Sequence, residues 1–109
     1  MLTRRMSVGA VGELVAARFL ERRRVVIVDR NVRVGRDEID LIVRIDDRLA
    51  AVEVKTGLGA GTRPWENFDD EKNDRIRRAV GVLSIRRIDL IAVVLTTDGA
   101  AVRWLPGVG

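Results

Sequence analysis

The stretch DEIDLIVRIDDRLAAVEVKTG, Asp37 to Gly57, constrains the fold more than any other part of the chain. Two apolar runs rich in β-branched residues flank Asp46-Asp47, the pattern of an antiparallel hairpin. Successive side chains of a strand point to opposite faces. In Glu38 to Ile45, one face carries Ile39, Leu41, Val43 and Ile45, and the other Glu38, Asp40, Ile42 and Arg44. In the next strand, Arg48 to Thr56, Ala50, Val52 and Val54 share a face, and Leu49, Ala51, Glu53 and Lys55 the opposite one. A loop of two or four residues centred on Asp46-Asp47 sets Leu41 against Val52, Asp40 against Glu53 and Glu38 against Lys55. An odd loop would bring Asp40 beside Val54 and mix charge into the apolar face, which burial of that face disfavours.

The even register creates an electrostatic problem. Directly opposed residues have β-carbons roughly 4.5–5.5 Å apart, and like charges at that distance destabilise a sheet. A shared proton, a cation or Lys55 must offset the repulsion between Asp40 and Glu53. A hard divalent ion does so well, because magnesium takes oxygen ligands at about 2.0–2.1 Å and keeps several waters. The plainer alternative is a salt-bridged patch in which the two acids share Lys55 and nearby arginines.

The rest of the chain supplies the sheet's surroundings. Ser7 is a plausible N-cap for a helix reaching Arg24, with Val8, Val11, Val15 and Phe19 at helical spacing. VVIVD, Val25 to Asp29, reads as a short strand, and Asn31 to Asp37 as a polar connection. GLGAGTRP, Gly57 to Pro64, is a flexible loop. Asp69 or Asp70 caps a second helix with Ile76, Ala79, Val80 and Leu83 on its apolar face. Ile88 to Thr96 is a long apolar strand, expected to be central and buried on both faces. Asp98-Gly99 turns the chain into a last strand, Ala101 to Leu105. The order α-β-β-β-α-β-β defines an α/β class with a mixed central sheet flanked by helices. The helix between the third and fourth strands makes that pair parallel.

Composition narrows the chemistry. The chain has 109 residues, the length of one domain spanning 1–109, with no histidine and no cysteine. Imidazole bases, Ser-His-Asp arrangements, disulfides and thiolate zinc sites are excluded. Catalysis would have to use carboxylates, lysine or an oxygen-bound metal. No apolar run approaches the roughly 20 residues of a membrane span, and Met1 to Arg5 is not followed by an apolar signal core. The expected setting is the cytoplasm, with no membrane partner. The formal net charge of +4 favours a polyanion such as nucleic acid, or is simply a solvated basic surface. Of 20 basic residues only Lys55 and Lys72 are lysines, so these two mark places where a compact ammonium is wanted.

Asp40 followed by Glu53-Val54-Lys55 resembles the PD-(D/E)xK nuclease motif, with Ile39 where the motif's name has proline. The wider chain is similar to the YraN family, small bacterial proteins with a predicted endonuclease fold. The similarity runs through GAVGELVAARFL (Gly9 to Leu20), NVR (Asn31 to Arg33), EIDLI (Glu38 to Ile42), VEVKT (Val52 to Thr56), ENFDDEK (Glu66 to Lys72) and RIDLIAV (Arg87 to Val93). The resemblance implies a restriction-endonuclease-like fold, also similar to archaeal Holliday junction resolvases. It departs from the family at Asp37, where a glycine is usual, at Gly57, where an arginine is usual, and in the short segment Ser84 to Arg87.

By this resemblance Asp40 and Glu53 would bind Mg²⁺ or Mn²⁺ together with the backbone carbonyl of Val54. Glu13, on the first helix, would reach the metal through water, or else be a solvated helix residue. Lys55 would position the attacking water. Glu38 would pair with Lys55, and Lys72 would face substrate phosphate or lie along the surface. Arg4, Arg5, Arg22, Arg23, Arg24, Arg77, Arg78, Arg86 and Arg87 are available for phosphates. Trp65 and Trp104 could stack on bases, although packing is their commoner use.

The leading expectation is a metal-dependent nuclease that hydrolyses phosphodiester bonds in DNA, branched or damaged DNA included. A catalytically weak nucleic-acid-binding module of the same fold, and an interaction protein with an ion-paired patch, are the rivals. A homodimer would suit cleavage of duplexes or junctions, since one site cuts one strand.

Overall fold

A computed structural model describes residues 6–67 and 70–108, with side chains described except at 67 and 70–72. Arg4, Arg5, Asp69 and the Lys72 side chain therefore lie outside the described residues. Helix α1 is Val8–Arg22, β1 Val26–Val34, β2 Asp37–Ile45, β3 Arg48–Leu58, α2 Asp70–Val82, β4 Arg87–Thr96 and β5 Gly99–Leu105, with a 3-10 turn at Pro64–Asn67. The expected α-β-β-β-α-β-β order holds. The strands form one sheet in the order β1-β2-β3-β4-β5. The β3–β4 pair is parallel and the other three are antiparallel. This mixed sheet with helices on its faces is compatible with a restriction-endonuclease-like fold.

The β2–β3 hairpin closes as the charge pattern requires. Ile45 pairs with Arg48 and Leu41 with Val52 across the two-residue turn Asp46-Asp47. Both turn residues have positive φ, 49° and 65°, the sense that matches strand twist. Aspartate tolerates this conformation through local hydrogen bonding, so a dipeptide outside the usual preference suffices.

Two faces of the sheet carry two cores. Ala16, Ala17 and Leu20 of α1 pack on Leu41, Val43, Ala50, Val52, Val54, Ile91 and Val93. On the other face Ile76, Ala79 and Val80 of α2 pack on Ile39, Ile42, Ala51 and Ile88. The β3 alternation read from the sequence is reproduced. In β2 it is broken once, because Ile39 joins Ile42 on the α2 side instead of Leu41 on the α1 side.

Gly12 sets how closely α1 lies on the sheet. A Cβ there would overlap the Thr56 hydroxyl and come within 2.8 Å of the Thr56 β-carbon. Only glycine lets the helix backbone sit against β3 at this height, which brings the next residue, Glu13, down to the strands. Ser7 caps α1 as expected, its hydroxyl oxygen accepting from the Ala10 N–H at 3.1 Å.

Some boundaries differ from expectation. Asn31 to Val34 is strand, not connection. Val32 and Val34 pack against the α2-side core, and that burial extends the strand to a two-residue turn at Gly35-Arg36. β3 likewise runs on to Leu58, its Gly57 and Leu58 paired with Val94 and Leu95. The last hairpin turns at Thr97-Asp98, since Gly99 already pairs with Thr96.

Candidate functional site

Asp40 is the centre of the site. The β2–β3 ladder stops at Leu41↔Val52, so Asp40 and Glu53 do not continue it. Instead the Asp40 carboxylate accepts the Val54 N–H at 2.8 Å. The acid takes the place of a strand neighbour, and this displacement accompanies the break in alternation at Ile39. Asp40 nevertheless lies close enough to Glu53 and to Glu13 for its carboxylate to raise the pKa of both. The ladder pairing of Asp40 with Glu53 expected from the sequence is not made, although the two carboxyls interact electrostatically.

A second grouping was not foreseen. Glu13, Glu38 and Asp40 bring carboxylate oxygens within 4.8 Å of one another. Glu13 is thus at the site and not an isolated helix residue in solvent. Glu38 was expected to pair with Lys55. Lys55 and Glu38 do line one cleft, together with Arg36, Glu53 and Arg75. The Lys55 ammonium, however, lies 3.3 Å from Glu53, and Glu38 is held by Asn31. With its amide nitrogen turned toward the acids, Asn31 donates to Glu38 at 3.0 Å and Glu13 at 2.9 Å. The reverse orientation would set the amide oxygen against two carboxylate oxygens.

Crowding four acids changes their protonation. Burial, then the Asp40 and Glu38 charges and a hydrogen bond to Asp40, push the Glu13 carboxyl up to about 7. Burial and the Asp40 charge push Glu53 up to about 8, with Lys55 opposing. Burial raises Asp40 as well, while the Val54 N–H, Glu53 and Lys55 hold it down. Near neutral pH the cluster therefore keeps protons that isolated carboxyls would lose. Shared protons relieve like-charge repulsion in the absence of a cation.

The remaining expectations divide. Val54 is at the site through its N–H. Both tryptophans pack against protein. Trp104 meets Phe19 edge-on at 6.5 Å and donates to Asp89 at 2.9 Å. Trp65 has the Arg63 and Arg103 guanidiniums over its ring at 5.3 and 4.8 Å. Gly57 is covered by the loop that follows, where a Cβ would come within 2.8 Å of Thr62 and 3.0 Å of Pro64. Asn31 and Arg36 were missed because their segment read as a connection. An asparagine in a run of valines, inside the NVR block, was the available signal for a left-handed residue within a strand.

Every donor at the site is a hard oxygen, with no histidine or cysteine in the chain. Such a donor set suits a hard, oxygen-seeking cation better than the softer, nitrogen- or sulfur-seeking ions. Among the described residues no helix is long and apolar enough to cross a membrane.

Comparison with known proteins finds similarity over most of the chain. The family model of "Uncharacterised protein family UPF0102" matches residues 12–93, a span that holds Glu13, Asn31, Glu38, Asp40, Glu53 and Lys55. A UPF0102 protein of Beutenbergia cavernae is 40% identical over 114 aligned residues, covering 94% of this chain and 96% of its own. One from Corynebacterium efficiens is 39% identical, covering 99% and 96%. One from Dictyoglomus turgidum is 33% identical, covering 89% and 90%.

Proposed function

The chain belongs to the uncharacterised protein family UPF0102, and from its acidic site we propose that it is a metal-dependent nuclease hydrolysing phosphodiester bonds in DNA. One observation carries this reading. Asp40 sits among Glu13, Glu38 and Glu53, with the Lys55 ammonium on Glu53. Four carboxyls are gathered there, and a divalent cation is the natural complement of such a set. The likeness to the YraN family and to the PD-(D/E)xK motif supports the same reading.

Asp40 and Glu53 would hold Mg²⁺ or Mn²⁺, with Glu13 directly or through water and the Val54 carbonyl completing the protein donors. When bound, such an ion polarises a phosphoryl oxygen and lowers the pKa of a bound water. Lys55 orients that water and neutralises charge that develops on the phosphoryl oxygens. The Glu53–Lys55 pair keeps the ammonium beside the acids, where the water and the phosphate would meet. Arg36 and Arg75 line the same cleft and would hold the flanking phosphates, a role for which a guanidinium fork is suited. The excess of basic residues over acidic ones, +4 in formal charge, favours approach of a polyanion.

Cleavage of labelled duplex and branched DNA with Mg²⁺ or Mn²⁺ tests the reading. Asp40→Ala and Lys55→Ala should each lower the rate by at least about 100-fold, the scale of losing one transition-state contact. Equal cleavage by all three proteins would assign the activity to a contaminant.

A further inference from the structure

We propose that the Asn31 amide is a stand-in for the cation: it bridges Glu13 and Glu38 in the metal-free protein and must be displaced when a divalent ion enters. The proposal rests on the metal-site reading above and adds a competitor to it.

Three observations point to this role. First, the amide has two N–H bonds and uses one on each acid, at 2.9 and 3.0 Å. Among uncharged side chains only a carboxamide presents two such donors from one nitrogen. Second, Asn31 stands across from Asp40. The flanking pairs Arg30↔Leu41 and Val32↔Ile39 are made, and the residues between them face each other without a ladder pair. Third, Asn31 has φ of 50°, a left-handed conformation inside a strand. Asparagine tolerates it better than other side-chain-bearing residues do, and it turns the amide toward α1 rather than along the sheet's normal alternation.

The consequence is energetic. Glu13, Glu38 and Asp40 bring carboxylate oxygens within 4.8 Å of one another, so that their charges repel when they ionise. The amide supplies partial positive charge at little desolvation cost, so the site stays assembled before a metal arrives. A divalent ion outcompetes it, because two full charges on hard oxygens exceed two neutral hydrogen bonds. The amide thus holds the apo site in shape and lowers apparent cation affinity by the free energy of the bonds that must break.

Asn31→Gly keeps the left-handed backbone and removes the amide, and Asn31→Asp replaces the donor by a further acid. Both are measured by metal-free thermal melts and by Mn²⁺ calorimetry, beside the wild type. Metal-free melting temperatures should fall in both, further in Asn31→Asp. In Asn31→Gly the Mn²⁺ dissociation constant should tighten by roughly fivefold to a hundredfold, the worth of the two hydrogen bonds no longer broken. In a Glu38→Gln background the loss of melting temperature on Asn31→Gly should shrink. A wild type that takes up no Mn²⁺ overturns both this proposal and the nuclease reading. A wild type that binds Mn²⁺ and cleaves DNA, with Asn31→Gly binding no tighter or melting unchanged, overturns this proposal alone.

Discussion

Two aspartates on neighbouring parts of one sheet meet opposite fates. Asp89 of β4 is fully buried, at 0% exposure. It receives two bonds from Arg87, at 2.9 and 3.0 Å, one from the Trp104 indole and one from the Gly107 N–H. Every direction around its carboxylate is answered by a donor. Asp40 of β2 receives the Val54 N–H, and its other neighbours include three acids. Burying a charge is tolerable when donors surround it and costly when they do not. Asp89 therefore ties β5 and the chain beyond it to β4, whereas Asp40 stores repulsion that a ligand can relieve.

The contrast can be broken most forcefully at Asp89. Asp89→Ala leaves Arg87, Trp104 and Gly107 donors without their acceptor and should cost on the order of 3 kcal/mol. For a chain this size that lowers the melting temperature by roughly 12–24 °C. Asp40→Asn should do the reverse in metal-free buffer at pH 9. The carboxamide oxygen still accepts from Val54 while one charge is removed, so melting should rise by a few degrees even as Mn²⁺ binding is lost. If both variants destabilised alike, the two acids would be equivalent structural residues.

A smaller effect is expected at Gly12. Gly12→Ala forces a Cβ onto Thr56 and should cost about 1–3 kcal/mol by overpacking. It should also lift Glu13 from Asp40, so Mn²⁺ affinity should fall in calorimetry, whereas Gly9→Ala, with open space around its Cβ, should leave affinity unchanged.

A change of pH sharpens the comparison further. Glu13 and Glu53 have folded values raised from 4.5 to about 7 and about 8. Groups raised in the folded state bind protons more tightly there. Their contribution to stability is complete below about 4.5 and is lost as pH rises through about 7 and 8. Metal-free protein should accordingly melt at lower temperature at pH 9 than at pH 6. Glu53→Gln should flatten the upper part of that decline, and saturating Mn²⁺ should oppose it, because the ion replaces the protons.

The strand pattern around Asp46-Asp47 determined, without any coordinates, that Leu41 would meet Val52 and that acids would crowd at the far end of the hairpin. Hydrophobic alternation is local information, and a one-residue slip would have exposed a whole face. The same local rules identified Ser7 as a cap and Ile88 to Thr96 as a strand buried on both faces. They also favoured Glu38 as the partner of Lys55, which tertiary structure overruled in favour of Glu53.

What only tertiary structure decided is which groups enter the site from a distance. Glu13 arrives because Gly12 lets α1 touch β3, and no spacing in the sequence encodes that approach. Asn31 arrives because the burial of Val32 and Val34 extends β1 alongside Asp40. Asp89 is one charge in an apolar strand, and its donors come from Arg87, Trp104 and Gly107, two of them brought by the next strand and the chain beyond. Periodicity reports which face a residue occupies. The charge that answers it across that face depends on how separate segments pack, and only the assembled fold contains that information.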